Sequence, residues 1–288
     1  MNRPHAPLPA GTHQLAISGT RLAVHTAGSG IPLVLLHAFP LDHSMWAFQE
    51  PLAEQVRLIV PDLRGFGASA EALPESIAAW ADDVVAILDA VHVRGPAVIC
   101  GISMGGYVAQ HVAARHPERV AALILVDTRL EADTAEARAG RADLAAKVGR
   151  LGLGILADAM VPRLLADSAE ARAAAGRADL EARLRTTITA QRVEAVQAAL
   201  AALGARPDMT EPLRRLPAPA LLVTGAEDAI TPPACLQAAE AIIPRARLLI
   251  VPAAGHMVPL EQPDVFNAAV LAFLRGLPED RLQAMAGT

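Results

Sequence analysis

The chain has 288 residues, 53% of them apolar and 19% charged, with a net charge of -5; this excludes a disordered chain, and the sequence lacks the basic, aromatic-interleaved stripe of a nucleic-acid-binding surface. No uninterrupted apolar run approaches the roughly 20 residues of a membrane span, and two cysteines, Cys100 and Cys235, make no disulfide framework. With no apolar signal segment in residues 1–20, the expected location is cytoplasmic.

After a Pro-rich start, residues 13–17 and 21–27 read as a hairpin around Ser18-Gly19-Thr20, and residues 32–36 as a buried strand. Residues 56–60 form the next strand. Over 76–91 the apolar positions Ile77, Trp80, Val84, Ile87, Leu88 and Val91 fall at helical spacing. A short strand, 97–100, feeds Ser103, and a helix over 104–116 ends before Pro117; residues 120–126 are again wholly apolar. From 130 to 205 the strands vanish, and Ala- and Arg-rich helices are expected near 133–150, 155–165, 179–190 and 193–203. The strand–helix rhythm then resumes, with strands at 220–224 and 247–251 and helices at 232–243 and 265–274. The expected fold class is therefore α/β: a mostly parallel eight-stranded sheet with helices on both faces and an antiparallel hairpin at one edge. The expected division is a discontinuous core over 12–129 and 206–277, an inserted helical block over 130–205, and tails at 1–11 and 278–288.

The segment Val98-Ile99-Cys100-Gly101-Ile102-Ser103-Met104-Gly105-Gly106-Tyr107 delivers a serine from a strand straight into a helix. That is the layout of a nucleophile elbow, in which flanking glycines allow a sharp turn that exposes the hydroxyl. A Gly-x-Ser-x-Gly string alone arises by chance in about one chain of this length in ten, so its partners decide. A serine needs a histidine base and a carboxylate that orients it. Asp228 follows one late strand and His256 follows the next; in a parallel sheet these strand ends share an edge with Ser103. The backbone N–H groups of Phe39, in His37-Ala38-Phe39-Pro40, and of Met104 are the candidate oxyanion donors. Asp127 is a rival acid, read here as a loop-capping carboxylate. His37 is expected to brace the oxyanion loop, and Cys100 to be a buried strand residue without a catalytic role.

With these motifs, together with Pro61-Asp62-Leu63-Arg64-Gly65-Phe66-Gly67 and Gly255-His256, nearly the whole chain resembles the α/β-hydrolase family. It is similar to capped small-molecule members such as 3-oxoadipate enol-lactonases, carboxylesterases and cofactor-free haloperoxidases. Ala38 stands where that family usually has Gly. The resemblance implies an α/β-hydrolase fold with a helical cap over 130–205 and a catalytic triad of Ser103, Asp228 and His256. It implies cleavage of a small carboxylic ester or lactone through an acyl-enzyme, with no membrane or nucleic-acid partner. Perhydrolysis, haloperoxidation and C–C hydrolysis reuse the same triad, and a ligand receptor on a hydrolase scaffold is the non-enzyme alternative. No Walker loop, dinucleotide fingerprint or His-Glu-x-x-His string is present, so neither a cofactor nor a metal is expected.

All eight aromatic residues lie outside 130–205. The wall that this block presents to a pocket is therefore expected to be aliphatic, with Leu153, Ile155, Leu156, Met160, Leu164 and Leu165 as candidate lining, although residues at this helical spacing more often serve only as packing. Arg129, which follows the last strand before the block, has two readings, a contact for an anionic substrate group and a solvated arginine, of which the second is preferred.

Overall fold

The computed structural model describes residues 8–17, 19–69, 71–174 and 176–286. Eight strands carry the fold: β1 (Gly11–Ile17), β2 (Thr20–Ala27), β3 (Ile31–Leu36), β4 (Val56–Pro61), β5 (Ala97–Ile102), β6 (Val120–Val126), β7 (Ala220–Gly225) and β8 (Ala246–Val251). They form one sheet in the order β1-β2-β4-β3-β5-β6-β7-β8. β1 pairs antiparallel with β2, and β2 with β4; every other pairing is parallel. The hairpin edge is thus where the sequence places it, although Ser18 of its turn lies outside the described residues.

Every residue of β4, β5, β6 and β7 is buried. Successive strand side chains point to opposite faces, so continuous burial means that both faces are covered. This is why β6 reads as an unbroken run of Val, Leu, Ile and Ala, and why β4, β5 and β7 carry short apolar runs of the same kind. Edge strand β1 instead alternates between half-buried and exposed positions, as one-sided burial requires.

The helices of the core follow local signals. Helix α1 (Ile77–Ala90) starts where Ser76 Oγ accepts the Ala79 N–H at 3.1 Å and buries Ile77, Trp80, Val84, Ile87 and Leu88 along one stripe. Helix α2 (Met104–Arg115) stops before Pro117. Between β6 and β7 lie α3 (Ala135–Leu151), α4 (Gly154–Leu164), α5 (Ala169–Ala173), α6 (Arg177–Ala190), α7 (Val193–Gly204) and α8 (Thr210–Arg214). Within this insertion α3 packs on α7 and α4 on α6. Helices α9 (Ala234–Ile242), α10 (Val258–Glu261), α11 (Pro263–Arg275) and α12 (Glu279–Ala286) complete the chain.

Two segments depart from expectation. Residues His43–Glu54 form a 3₁₀ helix that the sequence hides, because Pro51 interrupts it and its apolar positions lack a 3.6-residue rhythm. Residues expected as a C-terminal tail contain α12, which contacts β3 and β6 and buries Met285. A helix of two turns with one apolar pair, Leu282 and Met285, gives too short a period to read. Among the described residues no helix is long and apolar enough to cross a membrane.

Candidate active site

The parallel register sets the carboxyl ends of five strands at one level. Leu36 lies opposite Gly101, Ile102 opposite Val126, Val126 opposite Val223, and Gly225 opposite Val251. The loops that follow these ends carry Phe39, Ser103, Asp127, Asp228 and His256, so residues distant in sequence converge on one edge.

Ser103 stands between β5 and α2 at φ 52° and ψ -113°, a conformation costly for a residue with a Cβ. Its backbone is pinned on both sides: its N–H donates to Val126 O at 2.9 Å, and its carbonyl accepts from Thr128 Oγ1 at 3.0 Å. Its side chain makes no capping bond to the helix that it begins. The hydroxyl is therefore not spent on capping α2. The turn closes only because its neighbours have no side chains: a Cβ on Gly101 would stand 2.0 Å from Gly105 O, and one on Gly105 would stand 2.2 Å from Leu36 O. Gly105→Ala sets a helix-propensity gain of about 1 kcal/mol against a backbone collision. The collision wins, and the variant is expected to lose about 2 kcal/mol of stability, read as a lowered denaturant midpoint. An unchanged midpoint would show that the elbow relaxes freely.

His256 and Asp228 form a buried pair, with His256 Nδ1 donating to Asp228 Oδ2 at 2.8 Å. Asp228 Oδ1 also accepts the N–H groups of Ile230 at 2.7 Å and Thr231 at 2.9 Å, and Thr231 Oγ1 donates to Oδ2 at 2.7 Å. Burial pushes the Asp228 carboxyl up, but the bonds from His256 and Thr231 outweigh it and hold the carboxyl below its usual range. Asp127 sits one strand away, fully buried, and among the described residues accepts the N–H groups of Gly225 at 2.9 Å and Val258 at 3.4 Å. Burial, followed by the nearby Asp228 charge, raises Asp127 well above the usual carboxylate range. Of the two acids, Asp228 carries the charge and faces the histidine; Asp127 ties β6 to β7 and to the start of α10.

The loop after β3 presents Phe39 to the same space. Ala38 lies outside the positive-φ region, so the loop accepts an alanine there without backbone strain, and its N–H donates to Met45 Sδ at 3.3 Å. His37 is fully buried. Its Nδ1 donates to Ala38 O at 3.0 Å while Nε2 accepts the Leu63 N–H at 3.0 Å, and burial keeps the ring neutral by lowering its pKa. It braces the loop, as the sequence leads one to expect. The 61–67 segment is held by Asp62, which accepts from His43 N, His43 Nδ1 and Ala68 N. Asp42, His43 and Asp62 are close enough together for a cation, but Asp42 also accepts from Ser44 N and Gln191 Nε2. These lone pairs are spent on shaping the loop. Cys100 is buried in β5 and burial pushes its thiol up, which leaves it inert.

Phe39, Ser103, Met104, Thr231 and His256 line one cavity of about 240 Å³. Met104 opens α2, so its N–H is among the first-turn donors that have no intrahelical acceptor. The rest of the wall corrects two expectations. Of the six aliphatic candidates only Met160 reaches this cavity; Leu153, Leu156, Leu164 and Leu165 are buried as packing. The inserted block instead presents Asp133 and Arg141, which turn inward because they pair with each other at 2.5 Å. Arg129 is half-buried in the wall, with Nη2 donating to Ile230 O at 2.8 Å, rather than solvated.

The sequence also gave no sign of Glu261. Its half-buried carboxylate accepts Gly255 N at 2.8 Å and Met257 N at 3.3 Å, on either side of His256, and Ala166 N of the inserted block at 2.7 Å. His256 N donates to Leu164 O at 2.9 Å, so the histidine loop is tied to that block twice. Glu227, next to Asp228, accepts Asp167 N and Ser168 N rather than any histidine atom.

A profile described as the alpha/beta hydrolase family matches residues 33–269. A dihydrolipoyllysine-residue acetyltransferase component of an acetoin cleaving system from Pseudomonas putida is 36% identical over 85% of this chain; the match spans 64% of that relative's length. A 3-oxoadipate enol-lactonase from Acinetobacter baylyi is 30% identical over 84% of this chain and 88% of its own. Among solved structures, a thermophilic esterase from Thermogutta terrifontis, described as malate bound, superimposes with a TM-score of 0.87 at 37% identity, covering 93% of this chain and 99% of the esterase.

Proposed function

The chain belongs to the alpha/beta hydrolase family, and we propose that it is a serine hydrolase that cleaves a small carboxylic ester or lactone through an acyl-enzyme at Ser103. One observation carries this reading. Ser103 is held in a strained turn with its side chain not capping the helix, and shares a cavity with His256, whose Nδ1 is anchored on Asp228. Similarity to an enol-lactonase and an esterase supports the same bond type.

In the proposed cycle His256 Nε2 takes the hydroxyl proton as Ser103 Oγ attacks the substrate carbonyl. The N–H groups of Phe39 and Met104 receive the developing oxyanion, and ionised Asp228 holds the imidazole in the tautomer that leaves Nε2 free. The imidazolium then gives its proton to the departing alkoxide, which leaves as alcohol or, from a lactone, stays tethered to the acyl chain. A water, deprotonated by the same nitrogen, attacks the acyl-enzyme and frees the acid and the serine. The scheme needs no cofactor. The inserted block over 130–205 acts in it as the cap, because Asp133, Ala137, Arg141, Met160 and Leu203 close the cavity over the serine.

A cavity of about 240 Å³ is below the roughly 300–1,000 Å³ of drug-sized ligand sites, which restricts the substrate to a compact acyl group. The test is a panel of p-nitrophenyl esters from acetate to decanoate, with small lactones. Turnover is expected to peak at short chains and to fall steeply beyond about six carbons. Tight ligand binding with negligible turnover across the panel would contradict the enzyme and favour a receptor.

A further inference from the structure

The cavity wall holds three guanidinium groups, those of Arg129, Arg141 and Arg206, against one lining carboxylate, Asp133, in a chain whose net charge is -5. Asp133 is already shared: it pairs with Arg141 at 2.5 Å and with Arg206 at 2.6 Å. Arg129 has no carboxylate within 4 Å among the described residues, and spends Nη2 on the Ile230 carbonyl. Arg206 is 5% exposed; it donates to Leu203 O and Glu131 O, its guanidinium carbon stands 4.2 Å over the Tyr107 ring, and its buried Nε has no hydrogen-bond partner. Cations kept from water without enough counter-charge are costly, and a fork of N–H donors favours a planar anion.

The position of Arg129 is fixed relative to the serine. Thr128, its neighbour, donates to Ser103 O at 3.0 Å, and the carbonyl of Arg129 accepts Gln110 Nε2 of α2 at 2.9 Å. Ile230, to which its guanidinium is tethered, donates its N–H to Asp228. Both the backbone and the head group of Arg129 are thus built into the loops that carry the nucleophile and the acid.

Resting on the ester-hydrolase reading of this site, we propose that the substrate is itself an anion: a compact ester or lactone that bears a carboxylate on its acyl chain, received by Arg129 beside Arg206 while its carbonyl lies on Ser103. The guanidinium–carboxylate contact sets which acyl chains are held with the carbonyl in register and rejects neutral chains of the same shape, which leave the cations unpaired.

The experiment compares monomethyl succinate, glutarate and adipate with neutral methyl esters in which an isopropyl group replaces the carboxylate. At low salt the best anionic ester is expected to exceed its neutral isostere in kcat/KM by about tenfold or more, and Arg129→Met to shrink that ratio at least about tenfold. In the unmodified enzyme, glutarate is expected to compete with neutral-ester hydrolysis better than 5-methylhexanoate or inorganic phosphate does, an arm that needs no variant to fold. A ratio near one, a ratio untouched by Arg129→Met, or phosphate competing as well as glutarate overturns the assignment while leaving the hydrolase intact. Hydrolysis of neither ester type removes the hydrolase reading and this proposal with it.

Discussion

Ser103→Ala is expected to lower kcat on a short p-nitrophenyl ester by about a million-fold, to the residue left by the oxyanion donors and binding alone. The side chain contributes no cap to α2, and alanine meets the same backbone angles, so the melting temperature should stay within a few degrees of the parent. KM should change little, because the hydroxyl acts on the transition state more than on the bound ester. Steady-state kinetics beside a thermal melt read both quantities. Activity above about one per cent of the parent, in a preparation free of parent enzyme, would mean that another nucleophile works.

Asp228→Asn is expected to cost about 10⁴-fold in kcat, whereas Asp127→Asn should stay within about tenfold. The contrast follows from where charge resides. Asp228 is ionised and accepts the His256 Nδ1 proton; an amide there can turn its NH₂ towards the ring and favour the wrong tautomer. Asp127 is held towards its neutral form by burial and the Asp228 charge, and an asparagine oxygen still accepts the Gly225 N–H. Parallel kinetics on the two variants would reverse this order if the acid after β6 served the histidine.

Much of this layout is legible in the sequence because it depends on local period and on topology. Short apolar runs at 97–100 and 120–126, and the mostly apolar run at 56–60, fit strands covered on both faces, and the parallel order they imply places Ser103, Asp228 and His256 at one edge. What stayed hidden depends on contacts between segments far apart. Glu261 shows its role only when Ala166, 95 residues earlier, is seen donating to it. Arg141, on an Ala-rich helix, and Arg206, just past the end of another, look like surface charges until Asp133 is found between them. The lack of aromatic residues in the insertion is a poor reason to expect an aliphatic wall, since an ion pair can turn inward there and Phe39 and Tyr107 of the core also line the cavity. Thr231, which donates to Asp228, follows a motif too short to stand out.

The most direct test of the account is the mass of the intact protein after reaction with a fluorophosphonate. One adduct per chain is expected, with loss of esterase activity in step with its formation and a modified peptide in which Ser103 alone carries the group. Full inactivation with the adduct on another residue, or an active enzyme that never takes up the label, would contradict it.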